Sequence, residues 1–393
     1  MSPLAQRAAT IIAQVSPDVH ADFALKREFA NDPELTPLDK RDLSRAVFCY
    51  FRWYRWFDSS SAVASRVSTS LDLQRKFDAD PAVVKTALLH ERVIPAWVVA
   101  GIDFPSDAAR TAYLLQLQRE PALWLRPQRA YAASLTRALK PNSPPDFRLS
   151  PLSALPATFT SAPTALRYEG QTDLFRTDEF KQGLFEIQDL ASQLVGHACA
   201  PLSTETWWDA CAGEGGKMLH LSDLMDNKGL IWASDRHTGR LATLRKRAGR
   251  AKAYNYRPVV WNGGPVPPTK TKFDGILVDA PCSGVGTWQR NPHARWTTTT
   301  TDVKELAEIQ LQLLENTRKA LKPGGRLVYA VCTLTRLETT DIVNVFSQAH
   351  PELEPIPLLG LSAPKSGPAT GHFLWPHQLN ANGMFIAAWR LRA

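Results

Sequence analysis

The feature that most constrains the fold is a regular alternation of strand-like and helix-like segments, which begins near residue 183 and continues to residue 393. Short apolar runs such as 276–278 predict buried strands, and longer stretches with apolar residues every three or four positions predict helices. This alternation indicates an α/β fold, in which helices cover both faces of an open, largely parallel sheet. We therefore expect a Rossmann-like domain over residues 183–393 that binds its ligands at the carboxyl ends of the strands.

The predicted elements of this domain can be given as sequence segments. We predict a leading helix in LFEIQDLASQLVGHAC and strands in TWWDA, GLIWASD, FDGILVDA, RLVYAVC and GMFIAAWRLR. Helices occupy the segments between the strands, and the longest, VKELAEIQLQLLENTRKAL, should end at the glycines of KPGG.

The loop DACAGEGGK (209–217) joins the first strand to the helix that follows it. Its glycines, Gly213, Gly215 and Gly216, permit a tight turn and a close approach of the backbone to a ligand. Asp235 ends the next strand, where a carboxylate can accept both hydroxyl groups of a ribose. The spacing is not GxGxxG, and no Ser or Thr follows the lysine, which weakens the NAD and ATP alternatives. S-adenosylmethionine carries no phosphate and suits the crowded GEGG turn better, although a plain glycine turn beside a surface Asp fits the same residues.

Two cysteines end consecutive strands of the pattern, Cys282 in ILVDAPC and Cys332 in LVYAVC. Neighbouring parallel strands end at the same edge of a sheet, so both thiols should face one cleft beside the glycine loop. A single cysteine is more commonly a core residue, but two at matching strand ends, one of them close to Asp279, indicate chemistry. Five cysteines without CxxC spacing argue against a disulfide framework and a structural zinc site. We expect reduced thiols, as in a cytoplasmic protein.

Methylation of carbon-5 of cytosine is a reaction that uses such a pair. A thiolate that adds to carbon-6 makes carbon-5 nucleophilic enough to attack a methyl sulfonium. A carboxyl group at the ring-nitrogen edge stabilises the charge that develops there, and a second thiol can remove the carbon-5 proton so that the enzyme is released. A positive charge would help to form the thiolate, and Lys217, Arg290 and Arg295 are the candidates.

The sequence before residue 183 differs in character. Residues 1–110 carry apolar positions at helical spacing and predict a helical bundle, in which arginines and aromatics alternate within LDKRDLSRAVFCYFRWYRWFD. Such a helix suits RNA contact, and equally a core helix with a solvated basic face. Residues 111–182 predict a small α+β subdomain with strands in PALWLRPQR and TALRYEG and a Pro- and Ser-rich loop between them. The net charge of +8 is compatible with nucleic acid and with no partner at all.

These motifs together resemble the Sun/Fmu-type RNA cytosine-5 methyltransferases, in particular the branch of ribosomal RNA small-subunit methyltransferase B. The matching segments, in the family's order, are GLFEIQDLASQLV, DACAGEGGK, ASDRHTGRL, DAPCSGVGTWQRNPHARW, GGRLVYAVCT with Glu338 after it, and GHFLWPHQLNANGMFIAAW. They cover residues 183–393. REPALWLRPQR resembles the family's small RNA-contacting subdomain, and residues 1–110 resemble, more weakly, its NusB-like RNA-binding domain.

The resemblance implies roles for individual residues. Cys332 is then the nucleophile, Cys282 assists product release, and Asp279 holds the edge of the base, with Lys217 beside them. The implied S-adenosylmethionine site comprises Cys211, Ala212, Gly213, Glu214, Gly215, Gly216, Lys217, Asp235, Arg240, Asn262 and Asp279. Three positions depart from the family's usual residues: Asn262 stands for an Asp that reaches the adenine, Glu214 for a Pro, and Val331 for a Thr before the nucleophile.

Three functions of different classes follow. The first is S-adenosylmethionine-dependent methylation of cytosine in RNA, with ribosomal RNA as the expected substrate and tRNA as an alternative. The target base must be unpaired or flipped, with Trp288 or Trp296 as candidates to stack on it. The second is a non-catalytic RNA-binding assembly protein on the same fold. The third, an NAD-linked oxidoreductase, requires GxGxxG and has no use for the two cysteines. We expect a monomer without a membrane span.

Overall fold

The structure is a computed structural model of the 393-residue chain and describes residues 2–138, 149–151, 164–170, 172–358 and 371–393. The helices of these residues are α1 (Pro3–Ile12), α2 (Ala21–Asn31), α3 (Pro37–Arg52), α4 (Val63–Ala79), α5 (Thr86–Arg92), α6 (Ala96–Gly101), α7 (Asp107–Leu117), α8 (Ala132–Ala138), α9 (Asp178–Lys181), α10 (Leu190–Cys199), α11 (Gly216–Leu224), α12 (Thr238–Ala251), α13 (Ala294–Thr297), α14 (Thr300–Arg318), α15 (Thr340–Ala349) and α16 (Pro376–Leu379). The strands are β1 (Leu123–Pro127), β2 (Leu149–Pro151), β3 (Leu166–Tyr168), β4 (Phe185–Ile187), β5 (Thr206–Asp209), β6 (Leu230–Asp235), β7 (Tyr256–Val260), β8 (Phe273–Asp279), β9 (Leu321–Val331), β10 (Leu353–Pro355), β11 (Gly371–Leu374) and β12 (Met384–Leu391). Within these ranges, no helix combines the length and the apolar character that crossing a bilayer requires.

The chain divides into two compact units that do not follow sequence order. The helical unit contains Met1–Pro121 and Gly284–Asp302, and the sheet unit contains Ala122–Ser283 and Val303–Ala393. The sequence placed residues 284–302 with the Rossmann-like domain, whereas in the structure this segment groups with the N-terminal helices. The resemblance of residues 1–110 to a NusB-like domain stays a prediction.

The helical unit forms because its first four helices bury apolar faces against one another. Ile11, Leu43, Val47 and Val67 belong to one core cluster, and helix α3 starts with a capping box in which the side chains of Thr36 and Asp39 satisfy each other's backbone N–H groups. These local signals agree with the helical bundle expected from the spacing of apolar residues.

A buried arginine fixes the segment 284–302 within the helical unit. The guanidinium of Arg295 donates to the carbonyl oxygens of Leu117 and Trp288 at 2.5 and 3.1 Å, and to Oε1 of Gln118 at 2.8 Å. Burial lowers the pKa of Arg295 to about 9, and these acceptors offset part of the cost of enclosing the charge. Trp288 is itself fully buried, edge-on to Trp97.

The sheet unit is the α/β fold that the alternation predicts. Its large sheet has the strand order β10-β12-β9-β8-β5-β6-β7, with β11 paired to β12. Strands β5 to β9 pair in parallel, and β12 runs antiparallel to β9. Chain order reverses at β5, which lies between β6 and β8, and ligands bind outside the strand ends at such a switch point.

Two predicted elements of the sheet unit differ from the expectations, and strands β7, β10 and β11 were not among the predicted segments. The segment predicted as one leading helix begins with strand β4, and α10 starts only at Leu190, where the side chain of Asp189 accepts from Ala191 N. The glycines of KPGG lie inside β9 and do not end the preceding helix, which stops at Arg318. A Cβ on Gly325 would come within 3.0 Å of the carbonyl oxygen of Phe273, so glycine lets β9 pass close to β8.

Strand β4 completes a second, smaller sheet of four antiparallel strands in the order β2-β3-β1-β4. Its strands β1 and β3 match the segments predicted as strands in the α+β subdomain. The predicted Pro- and Ser-rich loop lies outside the described residues except for the backbone of β2.

Candidate active site

The glycine loop between β5 and α11 has the conformation that its composition indicates. Gly213 and Gly215 have φ values of 55° and 88°, which side-chain-bearing residues rarely adopt. A Cβ on Gly215 would also lie 2.8 Å from Cγ of Leu244. The N–H of Gly213 donates to Oδ2 of Asp235 at 3.1 Å, and the N–H of His237 donates to Oδ1 at 2.7 Å. The loop and the carboxylate at the end of β6 are therefore held as one structure.

A cleft of about 350 Å³ opens at the carboxyl ends of the strands. Eight of the residues predicted to hold a cofactor line it: Cys211, Ala212, Gly213, Glu214, Asp235, Arg240, Asn262 and Asp279. Three others, Gly215, Gly216 and Lys217, are not part of the lining, because Gly216 and Lys217 begin helix α11 and Gly215 caps it. The sequence did not predict the remaining lining residues, which are Ala210, Arg236, Trp261, Gly263, Ala280, Pro281, Ile309 and Leu313.

Lys217 and Asp279 form an ion pair next to the cleft. The Nζ atom of Lys217 lies 2.6 Å from Oδ2 of Asp279, and their side chains are only 11% and 28% exposed. Burial alone would lower the pKa of Lys217, but the charge and hydrogen bond of Asp279 outweigh it and raise this pKa. The lysine is therefore a fixed positive charge at neutral pH.

The two strand-end cysteines lie close together, as the sequence predicts, but neither is among the residues that line the cleft. The Sγ atoms of Cys282 and Cys332 are 3.3 Å apart and both residues are partly buried. They approach because β8 and β9 are parallel neighbours, with Asp279 opposite Ala330 in the register. The hydrogen bond with Cys282 lowers the pKa of Cys332, and the charge of Lys217 also lowers it, against the opposing effects of burial and of the charge of Asp279. The thiolate of Cys332 therefore forms more readily than that of an ordinary cysteine.

Residues 197–390 match the family described as 16S rRNA methyltransferase RsmB/F.

The chain belongs to the RsmB/F family.

Curated relatives carry the same family names. The chain is 37% identical over 220 residues to a protein of Bacillus subtilis named probable ribosomal RNA small subunit methyltransferase B, a match that spans 54% of this chain and 49% of the relative. A ribosomal RNA small subunit methyltransferase B of Shewanella oneidensis is 30% identical over 304 residues, which span 75% of this chain and 66% of that protein. The chain thus matches about half to two thirds of the length of these relatives.

Solved structures share the fold. PH0851 is similar over 99% of both chains with a TM-score of 0.76 at 20% identity. A methyltransferase homologue from Pyrococcus horikoshii has a TM-score of 0.62 at 26% identity and covers 73% of this chain and 92% of its own. The likeness to PH0851 concerns the fold alone.

Several residues predicted for the RsmB/F chemistry have other surroundings in the structure. Trp288, expected to stack on a base, is wholly buried in the helical unit, and the indole N–H of Trp296 donates to the carbonyl oxygen of Phe51 in the same unit. Arg295, proposed to favour a thiolate, is enclosed by the backbone carbonyls and the Gln118 side chain described above. A sequence motif identifies such residues by their spacing. It does not reveal that residues 284–302 belong to the helical unit and not to the sheet unit.

Some basic residues of helices α12 and α3 are held in ion pairs or buried hydrogen bonds. In helix α12, Arg247 and Arg250 both bind the buried carboxylate of Glu186. In helix α3, Arg45 pairs with Glu120, and the buried guanidinium of Arg52 donates to Gln74. Only the remaining basic residues of these helices are available as a solvated or RNA-facing surface.

Two buried carboxyl groups belong to the site although sequence reasoning gave neither a role. Burial and, to a smaller extent, the nearby charge of Asp279 raise the pKa of Asp209, at the end of β5, to about 8. Glu338 is fully buried in the 3₁₀ turn Arg336–Glu338. Its place in the motif after the nucleophile was the only signal available, because two of its partners, Ser283 and Gln310, lie 55 and 28 positions away.

Proposed function

We propose that this chain transfers a methyl group to carbon-5 of a cytosine in RNA through a covalent cysteine adduct. The observation that carries the proposal is the pair of thiols at 3.3 Å beside the Lys217–Asp279 ion pair, at the strand ends that border the cleft. An oxidoreductase or a simple binding protein has no need for two such thiols.

Each residue of this group has a step to perform. The thiolate of Cys332 adds to carbon-6 and forms a C–S bond, the electrons of the 5,6 double bond shift toward N3, and N3 takes a proton from water; the carboxylate of Asp279 then accepts a hydrogen bond from N3–H, and this proton leaves again when the C–S bond breaks. After methylation, carbon-5 gives its proton to Cys282, the C–S bond breaks and the double bond returns. Either thiol can donate in the 3.3 Å contact between the two Sγ atoms, and Cys282 acts as the base only after it has lost its own proton.

The cleft fits S-adenosylmethionine, on which the methyltransferase family generally depends. Gly213 leaves open space where any side chain would begin, and Asp235 offers carboxylate lone pairs for ribose hydroxyl groups. Asn262 keeps an amide at the position of the family's usual Asp, and its Oδ1 accepts from Gly264 N at 3.1 Å. When bound there, S-adenosylmethionine supplies the electrophilic methyl sulfonium.

Ribosomal RNA is the first substrate to test, because the curated relatives are named for it. Transfer RNA is the alternative within the same chemistry. A reactive thiol pair suits the reducing cytoplasm, and we propose a cytoplasmic monomer that binds RNA and no membrane.

The competing function is RNA binding without catalysis, suggested by the residues that depart from the family. Val331 has no exposed surface and packs in the apolar core beneath the sheet with Val278 and Tyr329. Val331 is not among the residues that line the cleft, so its departure from the family's Thr leaves that lining unchanged, which favours the catalytic proposal. Glu214 does line the cleft and is the stronger reason to test the alternative.

Labelled S-adenosylmethionine, incubated with the purified protein and either undermodified ribosomal RNA or tRNA, separates these possibilities. The expected result is transfer to one RNA class, with bisulfite sequencing locating 5-methylcytosine at a discrete position. RNA binding without transfer to any substrate would favour the assembly protein. Transfer to another atom of the base would contradict the role of the thiols.

A further inference from the structure

A single buried carboxylate connects the two loops that carry the cysteines. Glu338 accepts five hydrogen bonds: from Ser283 N and Oγ, Thr333 Oγ1, Thr335 Oγ1 and Gln310 Nε2, at distances of 2.5 to 3.0 Å. Two of these donors matter most, because Ser283 directly follows Cys282 and Thr333 directly follows Cys332. Their hydroxyl oxygens also lie 2.9 Å from each other.

Further bonds tie this carboxylate to the rest of the sheet unit. Gln310, on helix α14, donates to the carbonyl oxygen of Pro281 as well as to Glu338. The hydroxyl of Tyr329 lies 2.9 Å from Gln310 Oε1 and 2.8 Å from the carbonyl oxygen of Glu338. Both cysteine loops are therefore hydrogen-bonded to Glu338, which is itself held by helix α14 through Gln310 and by strand β9 through Tyr329.

The energetics explain why such an anchor is stiff. A carboxylate without solvent contact is very costly unless its lone pairs are occupied, and hydrogen bonds to an ionised acceptor are about twice as strong as neutral ones. Five donors satisfy the lone pairs of Glu338. If any one of these donor groups moves away, part of the buried charge loses its partner and the folded state is destabilised.

We propose that Glu338 is a positioning residue that holds Cys282 and Cys332 at their working separation. The proposal rests on the proposed function, in which one thiol must reach carbon-6 and the other carbon-5 of the same ring. A displacement of about 1 Å at such a site can cost on the order of 100-fold in rate. Glu338 touches neither thiol, and acts through Ser283 and Thr333.

Thiol chemistry tests this without requiring methyl transfer. In Glu338→Gln, the amide nitrogen cannot accept, so several donors lose their partner while the volume stays the same. We expect diamide to form the Cys282–Cys332 disulfide about tenfold or more slowly in the folded variant than in the wild type, since thiols moved apart lose effective concentration. The pH profile of Cys332 alkylation by iodoacetamide, read by peptide mass spectrometry, should move as well, because its hydrogen bond with Cys282 weakens.

Matched variants make the result decisive. Glu315→Gln removes a partly exposed carboxylate of helix α14 that pairs with Arg318, and should leave both thiol readouts unchanged. Thr335→Val removes a single donor and Glu338→Asp retains the charge, so both should give smaller effects and remain informative if Glu338→Gln does not fold. Wild-type disulfide and alkylation rates in a folded Glu338→Gln protein would overturn the positioning role. A different outcome separates the two proposals. If Glu338→Gln changes the thiol readouts but the wild type methylates no RNA, the proposed function is wrong and the positioning role of Glu338 still holds.

An independent observation concerns a cluster in the helical unit. His293 is 2% exposed, and among the described residues its Nδ1 has no hydrogen-bond partner. His20, which precedes helix α2, and Asp22, in the first turn of that helix, each place a ligand atom within 4.8 Å of the other two members of the cluster. Buried polar atoms are normally satisfied, so this histidine points to a ligand.

We infer that His20, Asp22 and His293 bind one Zn²⁺ ion. Two imidazoles and a carboxylate are nitrogen and oxygen donors that zinc accepts in tetrahedral sites with one position left for water. A metal here would join the start of α2 to the segment 284–302 within the helical unit. The small separation of the donor atoms means that modest side-chain rotations bring them to zinc distance.

Cobalt titration of the EDTA-treated full-length protein tests this site. The thiols of Cys282 and Cys332 could themselves bind metal, so the titration uses the double variant Cys282→Ser with Cys332→Ser. We expect one equivalent of Co²⁺ with the visible absorption of a tetrahedral site, displaced by Zn²⁺. His20→Ala alters an exposed residue and should abolish this absorption, whereas His237→Ala, a histidine of the sheet unit, should not. An unchanged spectrum in His20→Ala, or no absorption at all in the double variant, would rule the site out.

Discussion

Lys217 and Asp279 are joined by a 2.6 Å hydrogen bond although they lie 62 positions apart in the chain, at the start of α11 and the end of β8. The bond places a permanent positive charge beside the carboxylate proposed to hold the base. The same charge lowers the pKa of Cys332.

Lys217→Met should therefore weaken the nucleophile. We expect the pH midpoint for iodoacetamide alkylation of Cys332 to move upward and methyl transfer to fall by roughly tenfold or more, since each pKa unit corresponds to a tenfold change in thiolate fraction. Lys246→Met removes an exposed charge of helix α12 and serves as the control for alkylation. An alkylation profile equal to that of the wild type would show that Lys217 does not act on the thiol.

The two cysteines should fail in different ways. Cys332→Ala should abolish methyl transfer because no adduct can form. Cys282→Ala should instead retain the RNA covalently, because the carbon-5 proton is not removed and the C–S bond persists. A denaturing gel with labelled RNA distinguishes the outcomes, and Cys49→Ala, which removes a core thiol of the helical unit, provides the control. Loss of activity without an adduct in Cys282→Ala would refute the division of labour.

Asp235→Asn should weaken S-adenosylmethionine binding. The amide loses one acceptor atom, and the carboxylate's bonds to Gly213 N and His237 N are then only partly replaced. Hydrogen bonds to charged groups contribute about 1.5–3 kcal/mol, so calorimetry should report a Kd raised by roughly 10- to 100-fold. Asp226→Asn, at an exposed position, should bind the cofactor as the wild type does. Equal affinities in the two variants would exclude Asp235 from the site.

Gly196→Ala should destabilise the sheet unit. A Cβ at this position would lie 2.1 Å from Nδ1 of the buried His220, so helix α10 would have to move away from α11. Overpacking of this kind costs about 1–3 kcal/mol, measurable as a lower free energy of unfolding in urea. Gly239→Ala in helix α12 meets open space and should be neutral or stabilising by up to about 1 kcal/mol. Equal unfolding free energies would mean that the helices move apart without cost.

Stability should fall in mild acid because of the neighbouring His197 and His220. Burial lowers the pKa of His197 to about 4 and that of His220 well below its ordinary value. Because the folded form then binds fewer protons than the unfolded form, this stability is present above pH 6.5 or so and is lost as the pH falls toward 4. We expect up to about 1.4 kcal/mol for each pH unit per histidine.

Urea unfolding at pH 7.5 and pH 5 measures this dependence. His293 has a similarly lowered pKa and contributes to the total, so the comparison is between the wild type and His197→Gln, which should be less sensitive to pH. An identical pH dependence in the two proteins would exclude His197 as a source.

The centre of the site could be predicted because it depends on simple rules of chain geometry. The glycine loop and the ends of consecutive strands must meet at one edge of a parallel sheet, so Gly213, Asp279, Cys282 and Cys332 could be brought together from the sequence. The strand pattern also indicated β5, β6, β8, β9 and β12 of the large sheet, whereas β7, β10 and β11 were not predicted.

What could not be predicted depends on contacts between distant residues. Glu338 has five donors from three separate segments, and no local pattern marks that convergence. Ile309 and Leu313 line the cleft only because helix α14 packs beside it. Trp288 and Arg295 suit RNA by residue type, yet both are buried, since burial depends on neighbours such as Leu117 and Gln118 from another part of the chain.

The division of the chain after Ser283 has a consequence for how such a protein can be inherited or engineered. Dividing the chain once near residue 121 does not yield two complete units. The C-terminal fragment would contain Trp288 and Arg295 without Trp97, Leu117 and Gln118, which bury them in the intact chain. Gene fusion or loss at one breakpoint therefore cannot add or remove the helical unit cleanly. The segment that follows the releasing thiol has to evolve together with the N-terminal helices, and a minimal catalytic fragment would need 284–302 rebuilt as a new linker.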